Sequence, residues 1–226
     1  MLALWQSLVD AFSSMINFFY IITQKIGVPS YGLAIILITI TIKMLLYPLS
    51  AKQMKSMRAM AELAPKQKAL QEKYKKDPQK AQEAMMQLYK EHGVNPLSGC
   101  LPLLIQFPLL IAFYNGLTHF PYINEADATF LWISNISSPD PVYILPLLAA
   151  ATTYLQMKVT PSSSGGNASA EQTQKIMMYS MPLLIGWMAH SFAAGLSLYW
   201  VTFNTVGILQ QLYMNRSLNV RKEGTA

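Results

Sequence analysis

The run from Tyr31 to Leu49, YGLAIILITITIKMLLYPL, carries a single charge, Lys43. At about 1.5 Å per residue such a run is long enough to cross a hydrocarbon core. A charge near the middle of a bilayer costs about 2.5–3.5 kcal/mol on insertion scales, so an intramembrane cation reads as a functional residue by default. The rest of the sequence has to say what the chain does with it.

Composition places the remaining chain in the same solvent. Of its 226 residues, 52% are hydrophobic and 12% charged, against about 25% charged in an ordinary soluble domain. A net charge of +6 would suit nucleic acid. The basic residues, however, fall in blocks beside the apolar runs, which points to an anionic membrane face and to no specific nucleic-acid sequence. Cys100 is the one cysteine, which excludes an intrachain disulfide and a Cys-based metal site. No cofactor is expected.

Five apolar segments are predicted to span the bilayer, at residues 31–50, 96–117, 141–159, 175–190 and 194–214. The fourth is short and could pair with the fifth as a tight hairpin turning at Ser191 to Gly195. Interior prolines at 102, 108, 146 and 182 are tolerated in membrane helices when neighbours satisfy the freed carbonyls. With the N-terminus outside, five spans put 15 of the 17 Lys and Arg residues in the cytoplasm, leaving only Lys25 outside and Lys43 in the membrane. The outer loop, residues 118–140, has Glu125, Asp127 and Asp140 and no Lys or Arg. This satisfies the positive-inside rule. The C-terminus, a basic tail at 215–226, is then cytoplasmic.

Residues 1–30 open with an aromatic, apolar stretch interrupted by Gln6, Ser7, Asp10, Ser13, Ser14 and Asn17. The mixture reads as an amphipathic helix in the outer interface, with a sixth span as the alternative. It lacks the basic start and small-residue cleavage site of a signal peptide. Residues 51–95 are a charged cytoplasmic insert. Met54, Met57, Ala61 and Ala64 recur at helical spacing, Pro65 interrupts, and Asp77–Pro78 reads as a cap and first position of a second helix ending before Gly93. Two antiparallel amphipathic helices result. They are either a solvated hairpin facing lipid headgroups, or a surface whose flexible methionines, including Met60, meet many apolar partners. The SSSGGNAS stretch within residues 160–174 is a flexible linker.

Polar residues inside the spans are Thr39, one helical turn from Lys43, then Gln106, Thr152, Thr153, Gln156 and Asn204. Any one of these serves as interhelical glue worth about 0.6 kcal/mol. Lys43 could also snorkel toward the cytoplasm past Ser50. No Asp or Glu lies in any span to neutralise it. A hydrated cavity open to visiting acidic groups is therefore favoured over a buried ion pair.

The motifs TIKMLLYPLSAKQ, NPLSGCLPLLIQFPLLIAFY, YILPLL, QKIMMYSMPLL and GLSLYWVTFNTVGILQQ, in this order, resemble the YidC membrane protein insertases. Relatives include the mitochondrial oxidase-assembly insertase and the chloroplast Albino proteins. The resemblance covers Tyr31 to Arg216 and is to the shorter, five-span bacterial form. It implies an all-α polytopic membrane protein of the bacterial plasma membrane, with five transmembrane helices around a cytoplasm-open hydrophilic groove. No transit peptide precedes the membrane domain, which fits a bacterium. It further implies an insertase and chaperone without catalytic chemistry, moving short clients of one or two spans from cytoplasm into lipid. The groove cation, usually Arg, falls on Lys43, which keeps the charge without the bidentate fork. Thr39, Gln156, Trp200, Tyr199 and Asn204 fall on the client-binding groove, and Met54, Met57 and Met60 on the hairpin's client contact. The implied partners are nascent membrane-protein clients and the bilayer, with the general secretion channel and the ribosome as further candidates. Three basic residues in the tail, Arg216, Arg221 and Lys222, are too few to argue ribosome contact from charge alone.

Two other classes fit the sequence less well. An anionic-solute transporter using Lys43 as its binding residue would normally show internal repeats, and the five segments are dissimilar. An intramembrane hydrolase would need Ser197 and His190 as nucleophile and base, and GLSLY is no motif for that chemistry. Cys100 is most simply a small packing residue.

Overall fold

The computed structural model describes residues 2–95, 101–118, 120–161 and 168–223. Cys100 and most of the SSSGGNAS linker lie outside the described residues. Nine α-helices are found among them: α1 (Leu2–Lys25), α2 (Tyr31–Leu45), α3 (Tyr47–Glu62), α4 (Ala64–Lys73), α5 (Pro78–Glu91), α6 (Leu101–Thr118), α7 (Ile144–Val159), α8 (Ala168–Ser191) and α9 (Ala194–Glu223). A 3-10 turn spans Glu125–Ala128, and no strand is formed among the described residues beyond an isolated Phe130–Ile133 bridge.

Local chemistry sets the breaks. Ser30 caps α2 by accepting from the Leu33 N–H at 3.4 Å. The helix ends at Leu45, and α3 departs at 62°. Pro48 explains this: it lacks an N–H, and its ring opposes the carbonyl four residues back, at Met44. The apolar run to Leu49 is therefore bent rather than continuous. Among the described residues no single helix is long and apolar enough to cross a membrane, while the bent α2–α3 pair passes by length and composition and α7 is a shorter apolar helix. Pro65 sits in the first turn of α4, so α3 and α4 are also two rods. Asp77 caps α5 from its side chain to Lys80 N at 3.1 Å, with Pro78 at the first helical position. The charged insert thus holds three helices where two were expected, with α4 packed on α5.

In the bundle, α9 is the shared wall. It packs on α2 and α7 and touches α6, while α1 packs on α2 and α6. The expected α8–α9 hairpin turns at Phe192–Ala193, but the two helices meet little beyond it. Each lies along α7 instead. Small residues explain the choice, because they let two helix backbones approach closely. A methyl at Gly186 would sit 3.0 Å from Ala150 Cβ and 3.3 Å from the Pro146 carbonyl, and Ala149 and Ala189 are buried in the same seam.

The main core joins Phe12, Ile16 and Tyr20 of α1 to Tyr31, Ile35 and Ile38 of α2, Phe113 and Leu117 of α6, and Tyr199 of α9. Phe12 meets Phe113 edge-on at 6.1 Å, and Tyr20 stacks on Tyr31 at 4.0 Å. Phe113 is near the end of α6 and Tyr31 at the start of α2. Over Phe12–Tyr20, α1 therefore crosses the end of the bundle that bears the 120–143 loop. That loop is tied down: Ala194 N donates to Ser138 O at 2.7 Å and Gly195 N to Ile136 O at 2.8 Å. Asp140, 2% exposed, starts α7 by accepting from Leu145 N, Val142 N and Trp132 Nε1.

Candidate functional site

Lys43 on α2 and Gln156 on α7 converge on Gly207 of α9. A methyl at Gly207 would lie 2.7 Å from Gln156 Oε1 and 3.1 Å from Lys43 Nζ, so only glycine leaves room for both to approach the α9 backbone. One turn earlier on α9, Phe203 places its ring centroid 3.5 Å from the Lys43 ammonium. One turn later, Gln210 donates from Nε2 to the Lys43 carbonyl at 3.3 Å. Lys43 is half-buried, and no carboxylate lies within ion-pair distance of it among the described residues. The aromatic face offsets part of the desolvation that an acid would otherwise offset.

Gln156 has a fixed orientation. Thr160, the residue closing α7, donates its hydroxyl to the Gln156 carbonyl at 2.7 Å and receives the Gln156 Nε2–H at 3.3 Å. Gln156 Oε1 is buried and has no hydrogen-bond partner, and the same is true of Gln210 Oε1.

The same α7–α9 seam continues toward the loop end. With its oxygen turned to α7, the Asn204 amide accepts from Thr153 N at 3.2 Å, Thr153 Oγ1 at 2.9 Å and Trp200 Nε1 at 3.2 Å. Asn204 and Thr153 are buried and Trp200 half-buried. Thr39 is 1% exposed and its hydroxyl donates to Ile35 O at 2.6 Å. Tyr199 is 3% exposed, between Phe113 and Phe203, and accepts from Gln106 Nε2 at 2.8 Å. Of the residues singled out from sequence, Lys43 and Gln156 meet at one notch, Trp200 and Asn204 form the adjoining cluster, and Thr39 and Tyr199 are interior. On α3, Met54 and Met60 are buried and Met57 half-buried; the open methionine of the hairpin is Met86 on α5. Arg58 ties α3 to α9 by donating to Asn215 O at 3.3 Å, and Asn215 Nδ2 donates to Val159 O at 3.1 Å. Separately, an apolar cavity of about 190 Å³ opens between α6, α8 and α9, lined by Leu110, Met181, Leu184, Met188 and Phe192, with Trp200 at its edge.

Comparison with known proteins decides the lineage. The family model described as 60Kd inner membrane protein matches residues 21–222. The chain belongs to this family. Among its relatives, a Helicobacter pylori (strain J99) protein named membrane protein insertase YidC is 46% identical over 199 residues, covering 88% of this chain and 35% of that protein. One of the same name from Oceanobacillus iheyensis is 42% identical over 212 residues, covering 90% of this chain and 82% of the relative. The fold matches a crystal structure of an active YidC insertase with its first transmembrane domain resolved, at a TM-score of 0.66 and 30% identity, over 88% of this chain and 45% of that one. The chain thus spans about a third of the length of the Helicobacter relative and most of the Oceanobacillus one.

For this family member, sequence reasoning missed four residues at the notch: Phe203, Gly207, Gln210 and Thr160. Phe203 and Gly207 were legible as one face of α9, being four apart. Nothing in the sequence says which face of α9 turns to α2. Thr160 reads only as a polar residue at a helix end.

Proposed function

We propose that the chain is a membrane protein insertase, as its relatives are named, and that the Lys43–Gly207–Gln156 notch receives the hydrophilic segment of a client. The observation that carries this reading is an intramembrane ammonium without a carboxylate, set beside two unpaired amide oxygens. A closed structural site would have satisfied these groups internally.

In this reading five spans surround a groove open to the cytoplasm, the N-terminus is outside and the C-terminus cytoplasmic, and α1 lies in the outer interface. The client is short, with one or two spans, and meets the hairpin first. Met57 is within reach there; Met54 and Met60 contribute once α3 lifts from α9. The polar tail then enters beside Lys43, which offsets part of the cost of desolvating carboxylates. Trp200, Asn204, Tyr199 and Thr39 form the wall behind. The apolar segment leaves along the first and last spans, with the apolar cavity beside α9 giving it further surface. Burying that segment in hydrocarbon supplies about 25 cal/mol per Å², and the membrane potential adds to it for negative charge. No bond is made or broken.

The test is insertion of a single-span client into proteoliposomes containing only this protein, read as the fragment protected from added protease. Lys43→Gln should lower protection of an acidic-tailed client more than that of a neutral-tailed one. Protection no greater than with empty liposomes would overturn the reading, and equal loss for both clients would remove the electrostatic role of Lys43.

A further inference from the structure

The notch presents two unlike groups to a visitor: a donor, the Lys43 ammonium, and an acceptor, Gln156 Oε1. Both approach the same point on the α9 backbone, yet Gln156 Oε1 makes no hydrogen bond to Lys43 or to any other group. The amide cannot simply turn its NH2 to the notch, because Nε2 is held on Thr160 Oγ1, whose own proton is committed to the Gln156 carbonyl. Gln210 repeats the pattern beside it, with Nε2 on the Lys43 carbonyl and Oε1 left over. A bare carboxylate offers only acceptors. It would satisfy Lys43 and face the Gln156 oxygen with like partial charge. A peptide unit, a side-chain amide or a hydroxyl carries a donor and an acceptor together and would satisfy both groups.

Resting on the insertase reading, we propose that the notch is a receptor for neutral groups bearing both donor and acceptor, the peptide main chain above all, and that Thr160 is the positioning residue that sets this preference by fixing the Gln156 amide. Such a site accepts polar segments with little regard to side-chain sequence. The acid preference supplied by Lys43 is held in check by the orientation of Gln156.

Two otherwise identical clients, with tails carrying aspartates or asparagines, separate the possibilities in the proteoliposome assay. Thr160→Val removes the hydroxyl at nearly constant shape and frees the Gln156 amide to rotate its NH2 inward. The ratio of aspartate-tailed to asparagine-tailed insertion should then rise about tenfold, the change expected for one hydrogen bond gained to a charged group. Thr160→Ser, which keeps the hydroxyl, should hold the wild-type ratio. An unchanged ratio in Thr160→Val, with the asparagine client still inserted above empty liposomes, overturns this proposal alone. An equal shift in Thr160→Ser overturns it as well. Failure of both clients in the wild type overturns the insertase reading instead, and a second measurement then still reads the notch. In lipid nanodiscs, the Gln156 side-chain amide resonance should respond more to acetamide than to acetate in the wild type, and the order should invert in Thr160→Val. A wild-type response to acetate equal to or above that to acetamide sinks the proposal.

Discussion

The Lys43 ammonium sits 3.5 Å from the centre of the Phe203 ring, and the ring belongs to a different helix from the cation. The contact locks α2 to α9 at the depth of the notch. It also gives the charge a partner whose attraction survives without any acid nearby. A desolvated cation–π contact is worth about 2 kcal/mol. Phe203→Leu should therefore leave the fold intact, as a change of apolar shape, but release the ammonium. The expected result is faster acylation of Lys43 by an amine-reactive reagent, followed site by site by mass spectrometry; an unchanged rate would show that the ring does not hold the charge.

Gly207→Ala tests the approach of the two polar groups. Its methyl would meet Gln156 Oε1 at 2.7 Å and Lys43 Nζ at 3.1 Å. Overpacking of this kind costs about 1–3 kcal/mol, less if the flexible ends swing away. The variant should unfold at a lower temperature in detergent and insert both acidic and neutral clients poorly. Loss of insertion without loss of selectivity between them would separate this steric effect from that of Lys43→Gln.

At the loop end, Tyr20 donates its hydroxyl to Asp127 Oδ2 at 2.6 Å. This hydrogen bond to a carboxylate, with burial behind it, pushes the phenol up to about 12. The folded state thus keeps the proton where the unfolded chain gives it up. Stability from this group is complete below pH 10 and is lost as the pH rises to about 12. Tyr20→Phe should be less stable near neutral pH and should show a shallower fall across that alkaline window, measured as thermal midpoints at successive pH values. Parallel curves for the two proteins would remove Tyr20 from the linkage.

The sequence carried some of this and not the rest for identifiable reasons. Lys43, the charged insert, the Asp77–Pro78 helix start and the turn before α9 are local signals, readable from composition and from residues within a turn of one another. The bend after Leu45 was also written locally, in Pro48, but the apolar run through Leu49 concealed it. Helix neighbours were not local. That α7 rather than α9 would pair with α8 depends on Ala149, Ala150, Gly186 and Ala189 matching across two helices, and neither helix shows it alone. Gln156 was legible as a polar residue inside the third apolar segment and its groove role came through family resemblance, whereas the orientation of its amide is a consequence of Thr160, four residues away.

The ties between the 120–143 loop and the start of α9, with Asp140 gripping the start of α7, fix one end of the α7–α9 pair. From Leu145 to Gln156, α7 rises about 16 Å away from that point. At the far end Arg58 donates to Asn215 O and Asn215 Nδ2 donates to Val159 O, so α3, α9 and the close of α7 are tied as well. The Lys43–Gly207–Gln156 notch thus lies within a frame pinned at both ends, like a mortise cut in a fixed joint.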